Sequence, residues 1–161
     1  MLRLRRIVSG GQTGVDRAAL DAALGRGIAC GGWCPAGRGA EDGPIPARHP
    51  LRETPSADPA QRTAWNVRDS DATLVLARGV PRGGTARAVA EARRLGRPLR
   101  LVQLGRGDRE MDASEVAATR AWLGESGVET LNVAGPRASE EPGIEEDAAR
   151  FLAALLGGPG R

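Results

Sequence analysis

A chain of 161 residues, 40% hydrophobic and 27% charged, is long enough for one ordinary domain with a real core and too short for two. Only 2% is aromatic and Tyr is absent, so Val, Leu, Ile and Ala must fill the interior. All 23 basic residues are Arg, which excludes Schiff-base, Walker-type and general-base lysine chemistry and leaves backbone amides and guanidinium groups to grip an anion.

In chain order, residues 4–8 read as a strand that runs into the turn Ser9-Gly10-Gly11-Gln12-Thr13-Gly14. A helix is expected over 15–25, with Val15, Ala18, Ala19, Ala22 and Ala23 on its apolar stripe and Thr13 as a candidate cap. A short strand follows at 28–30. Residues 31–55 are crowded with Gly and Pro and read as an irregular excursion, of a length that is more often functional than idle. Ser56 is positioned to cap a helix over 57–69, with Pro59 in its first turn. The apolar run Ala72-Thr73-Leu74-Val75-Leu76-Ala77 has the composition of a buried parallel strand. Then come a helix over 85–95, a strand over 98–104, a helix over 112–125 capped by Asp112, a strand over 128–133 and a last helix over 144–156. Strand and helix alternate five times, which predicts a Rossmann-like, doubly wound, mainly parallel α/β sheet with helices on both faces. Residues 1–156 are expected to form the single domain and 157–161 a disordered tail.

In such a fold, ligands bind beyond the carboxyl ends of the strands. Three strand-to-helix loops there are Gly-rich. The first carries Gly10, Gly11, Gln12, Thr13 and Gly14, where backbone can approach a ligand and a helix N-terminus presents free N–H groups. It lacks the G-x-G-x-x-G spacing of a dinucleotide site. The second, from Arg78 through Arg82, Gly83, Gly84 and Thr85, is a similar anion cradle flanked by two guanidiniums. The third brings Gly135, Arg137 and Ser139. In the excursion, Trp33 could stack on a flat ring or plug the core, and Arg38 could meet a charge. Trp65 is expected to pack on the sheet, with Asp69 and Asp71 as caps at the opposite edge.

The basic balance does not indicate nucleic acid. Acidic residues share the same segments, no run of like charge exists and stacking side chains are scarce. Cys30 and Cys34 have neither redox nor zinc-knuckle spacing and read as reduced structural thiols. His49 has no ligand-spaced partner in sequence, so neither zinc nor a Ser-His-Asp triad is expected. No stretch is long enough to span a membrane and Met1 to Arg6 leads into no signal core; a cytoplasmic protein is expected.

Several segments, in order, carry a family likeness. They are the run from Ser9 to Asp21, Gly31-Gly-Trp-Cys-Pro-Ala-Gly-Arg38, Ala40-Glu-Asp-Gly-Pro-Ile-Pro46, Glu53-Thr-Pro-Ser56, the run from Gln61 to Asp71, Gly83-Gly-Thr85 and Leu131-Asn-Val-Ala-Gly-Pro-Arg137. Together they resemble the putative molybdenum carrier family, a circularly permuted YpsA-like branch of the SLOG superfamily related to the LONELY GUY and lysine-decarboxylase-like Rossmann proteins. The likeness implies a binding protein for a nucleotide-derived or phosphorylated ligand, with molybdenum cofactor (molybdopterin) or a nucleotide as the small anionic partner and a homodimer or higher homo-oligomer as the assembly. Related superfamily members cleave the N-glycosidic bond of nucleoside monophosphates with a Glu three residues after the motif Thr. Here that position is Ala88, and Glu91 on the same helix is a displaced substitute. A phosphoribohydrolase-like enzyme would have to use Asp16 or Glu91. A ligand-regulated sensor or scaffold is the other alternative.

Overall fold

The computed structural model describes residues 2–105 and 112–157. Strand β1 (Arg6–Val8) leads into helix α1 (Val15–Leu24) and strand β2 (Ala29–Gly31). Four two-residue strands follow: β3 (Trp33–Cys34), β4 (Gly39–Ala40), β5 (Gly43–Pro44) and β6 (Arg52–Glu53). The rest is α2 (Pro59–Arg68), β7 (Ala72–Ala77), α3 (Gly83–Arg94), β8 (Leu99–Gln103), α4 (Ala113–Glu125), β9 (Thr130–Ala134) and α5 (Ile144–Leu156).

Five strands make one sheet in the order β2-β1-β9-β7-β8, and every pairing in it is parallel. The chain moves outward from β1 to β2 and, on the other side, outward from β7 to β8, so β9 sits at the reversal. The three Gly-rich loops therefore leave three adjacent strands at one edge, as expected for a doubly wound sheet.

All six residues of β7 are buried, and their alternation feeds both faces. Leu74 and Leu76 join Ile7, Leu131, Val133, Phe151 and Leu152 in the core that α1, α4 and α5 close. Val75 and Ala77 meet Val89 of α3 on the opposite face, where Val67 of α2 packs on Ala88 and Ala92 of α3. Asp71 starts this strand by accepting the amides of Glu129 and Thr130 at 3.0 and 2.8 Å.

Local chemistry moves several expected boundaries. The excursion over 31–55 is not wholly irregular: β3 pairs parallel with β6, and β4 and β5 form an antiparallel hairpin. Its Pro and Gly residues hold each strand to two residues. Helix α2 starts at Pro59 because Asp58, not Ser56, is the cap, accepting the Ala60 amide at 2.9 Å. Helix α3 starts at Gly83, which places Thr85 inside its first turn. Thr13 does not cap α1; Gly14 occupies that position with φ +82° and no side-chain bond. Asp112 does cap α4, accepting the amides of Ser114 and Glu115. Of the expected tail, residues 158–161 lie outside the described residues. Among the described residues, no helix is long and apolar enough to cross a membrane.

Packing at the loaded edge leaves little slack. A Cβ at Gly135 would lie 2.3 Å from the Leu76 carbonyl oxygen and 2.5 Å from Val15 Cγ2. Gly135→Ala should therefore destabilise the fold by about 1–3 kcal/mol, as overpacking of a tight interior does, with the loss read by urea unfolding.

Candidate functional site

A cavity of about 140 Å³ opens above β9, between the loops after β1 and β9 on one side and helices α2 and α3 on the other. Its walls include Gly10, Gln12 and Asp16 from the first loop and helix, Arg62 and Asn66 from α2, Gly84, Thr85 and Ala88 from α3, and Asn132, Gly135, Arg137 and Glu140 from the end of β9 onward. Each of the three Gly-rich loops thus contributes to one concavity.

The two helix entries beside it differ in what their amides do. At α1, the Gln12 amide donates to Asp16 at 3.2 Å and the Thr13 amide to Gln12 Oε1 at 3.0 Å. The Gly14 amide donates to Glu145 and the Val15 amide to the Pro136 carbonyl, both at 3.2 Å. The positive end of α1 is therefore already met by protein acceptors, two of them carboxylates. Its glycines are explained by packing. Gly11, with φ +81°, lies against Leu51 and Ile45, and a Cβ on Gly14 would lie 2.3 Å from the Pro136 carbonyl oxygen.

At α3, the amides of Thr85 and Ala86 return to the Arg82 carbonyl, while those of Gly83 and Gly84 engage no acceptor among the described residues. No acidic residue stands in the first turn of this helix. A Cβ on Gly84 would meet nothing within 4 Å, and its φ is not positive, so neither packing nor backbone conformation demands glycine there. What remains is an open amide end facing a cavity.

Four charged groups face the same space. Arg62 runs across Gly10, donating to its carbonyl at 2.8 Å; a Cβ on Gly10 would lie 2.4 Å from that guanidinium and would push it aside. Its Nη1 is 3.8 Å from Asp16. Burial pushes the Asp16 carboxyl above the ordinary Asp range, against the opposing pull of Arg62 and of hydrogen bonds from Gln12, Ser9 and Gly10. Arg137 is half-exposed and lies 3.5 Å from both Glu41 and Glu140.

The residues read from the sequence thus divide. Gly10, Gln12, Gly84, Thr85, Gly135 and Arg137 line the cavity, as does Asp16. Gly83 sits beside them with φ +52°. Arg82 is the exposed N-cap of α3 and makes no side-chain cap bond. Thr13 and Ser139 both donate their hydroxyls to Glu41. Arg78 turns inward, its side chain 7% exposed, and pairs with Asp147 and Glu141, fastening the β7–α3 loop to α5 and the turn before it.

Arg38 donates to the carbonyls of Pro46, His49 and Leu51 at 3.0, 3.1 and 3.2 Å and so braces the excursion. Trp33 stacks edge-on with Trp65 at 4.8 Å, carries the Arg52 guanidinium over its ring and donates Nε1–H to Asp69. Trp65 meets the Trp33 ring and carries the Arg68 guanidinium over its own ring at 4.5 Å. Glu91 pairs with Arg94 and is not on the cavity wall, whereas Ala88 is. His49 is fully buried and has a tertiary partner, Asp21, at 2.8 Å. Cys30 and Cys34 are free, and burial raises both thiols.

Arg62, Asn66, Asn132 and Glu140 were not picked out from the sequence as site residues. Arg62 and Asn66 lie within the segment from Gln61 to Asp71 that carries the family likeness, which was the available signal. Asn66 shapes the wall by bonding both the amide and the carbonyl of Trp33, at 2.7 and 3.0 Å.

Fold and site together define a Rossmann-like α/β protein with a polar cavity at its topological switch point. The circularly permutated YpsA SLOG family matches over residues 7–156, and the chain belongs to that family. It is similar, at 38% identity and a TM-score of 0.91 over 97% of each chain, to the crystal structure of a putative molybdenum carrier protein from Syntrophus aciditrophicus SB. No curated protein matches it.

Asp16 gives the site a pH signature. Its acid form is favoured by the fold, so the stability it contributes is complete below the unfolded Asp value near about 4 and is lost as pH rises through the raised native value. The Asp16→Asn variant should gain on the wild type in thermal melts as pH rises above about 4 and then keep a constant lead. Parallel curves across that range would contradict a buried, disfavoured carboxylate.

Proposed function

We propose that this protein binds a phosphorylated small ligand without cleaving it, and that molybdenum cofactor, a pterin bearing a phosphate, is the leading candidate. The observation that carries the reading is the pair of unspent amides at Gly83 and Gly84 beside a cavity that also holds Arg62 and Arg137. Amides at a helix start and guanidinium forks are the donors that suit phosphate oxygens. The cavity is smaller than the roughly 300–1,000 Å³ that encloses a whole drug-sized ligand. At about 140 Å³ it suits the phosphate and its adjoining atoms, with the ring system toward the rim.

The similar protein described as a putative molybdenum carrier favours the pterin over other phosphate esters. Among the described residues, no group of three His, Cys, Asp or Glu side chains could hold a metal ion. A carried metal would then be held through its organic cofactor. Ala88 on the wall, with Glu91 engaged by Arg94, favours binding over glycosidic cleavage.

Titration calorimetry with molybdenum cofactor and with nucleoside monophosphates tests the reading. Gly84→Ala should fold as well as the wild type, or up to about 1 kcal/mol better, since the new methyl meets no atom and glycine is poor in helices. It should nevertheless weaken phosphate-ester binding by about tenfold, because the methyl enters the space next to the free amides. Intact nucleoside monophosphates should remain after incubation. Unchanged affinity in the variant, or release of base that Asp16→Asn abolishes, would contradict the proposal.

A further inference from the structure

The hairpin of β4 and β5 reaches over the loaded edge and plants one carboxylate there. Glu41 accepts the hydroxyls of Thr13 and Ser139 and the Ser139 amide, the last at 3.1 Å, and lies 3.5 Å from Arg137 Nε. Two hydroxyls, one amide and one guanidinium converging on two oxygens form the donor set of an oxyanion site. The donors are independently positioned. Thr13 is fixed by accepting the Ala138 amide at 3.0 Å, and the hairpin is held separately by Asp42, which takes both guanidinium nitrogens of Arg17. Of its donors, Ser139 and Arg137 are exposed at the surface, while Thr13 is buried beneath the carboxylate, whose side chain is 23% exposed. Hydrogen bonds from Ser139 and Thr13, with help from Arg137, hold its carboxyl below the ordinary Glu range, so it remains an anion. Arg137 also lines the cavity beside Gly84, which makes the two places contiguous.

We infer that Thr13, Ser139 and Arg137 form a second oxyanion subsite, occupied by the Glu41 carboxylate until a ligand bearing two oxyanion groups displaces it. The inference rests on the phosphate site proposed at Gly84 and adds to it a ligand class: one with two linked anionic groups, such as a diphosphate, spanning both places. The Glu41 carboxylate keeps the donors ordered, and on this inference a single phosphate at Gly84 leaves it in position. A second linked group competes with it for the same four donors.

Inorganic phosphate and inorganic pyrophosphate, titrated calorimetrically into the full chain, separate the two claims. Glu41→Gln keeps an acceptor for the Ser139 amide while removing the competing charge, and melting curves verify its fold. It should bind pyrophosphate about tenfold more tightly than the wild type does, with phosphate affinity changed by less than about threefold. Adding Ser139→Ala removes one subsite donor at constant charge and should return that gain, as the loss of a hydrogen bond to a charged group does. If Glu41→Gln gives no gain for pyrophosphate, or if the gain survives in the double variant, the second subsite is overturned while the Gly84 site stands. If the wild type binds neither anion, both fall.

Discussion

Every helix start leaves backbone amides that need acceptors, and the two Gly-rich helix entries of this protein meet that requirement in opposite ways. At α1 the amides from Gln12 to Val15 are spent on Asp16, Gln12 Oε1, Glu145 and the Pro136 carbonyl. That closure ties α1 to α5 and to the loop after β9, and it forms one rim of the cavity. At α3 the amides of Gly83 and Gly84 engage no acceptor among the described residues. The functional reading follows from this asymmetry more than from the number of glycines.

Glycine accordingly has three different causes at one edge. Gly10 makes room for the Arg62 guanidinium, Gly14 and Gly135 for neighbouring carbonyl oxygens, and Gly11 for Ile45 and Leu51 at a positive φ. Gly84 has no such internal cause. Charge sorts in the same way. Arg78, Arg17 and Arg38 are structural ties to Asp147, Asp42 and backbone carbonyls, while Arg62 and Arg137 keep faces toward the cavity. An arginine-only basic complement thus serves both purposes, because a planar fork bridges carbonyls and carboxylates as well as it receives phosphate.

The sheet was legible because its signals are local. The apolar run from Ala72 to Ala77 could only be a strand buried on both faces, and α5 begins at Ile144, where its apolar period begins. The three loops could be placed on one edge because parallel strands share a direction. What could not be read was which amides were already engaged, since Glu145 and the Pro136 carbonyl approach α1 from distant parts of the chain. The inward turn of Arg78 was hidden for the same reason: its partners Glu141 and Asp147 lie more than sixty residues away. The Pro- and Gly-rich excursion concealed its hairpin because two-residue strands have no periodicity to detect.

On the proposed function, an anion is received at the start of α3 and not at the start of α1. Amide chemical shifts of the ¹⁵N-labelled protein, followed during titration with inorganic phosphate, test it most directly. Saturable shifts are expected at the amides of Gly83 and Gly84, with those of Gln12, Gly14 and Val15 unmoved. Shifts at the α1 amides with Gly83 and Gly84 unmoved would contradict it.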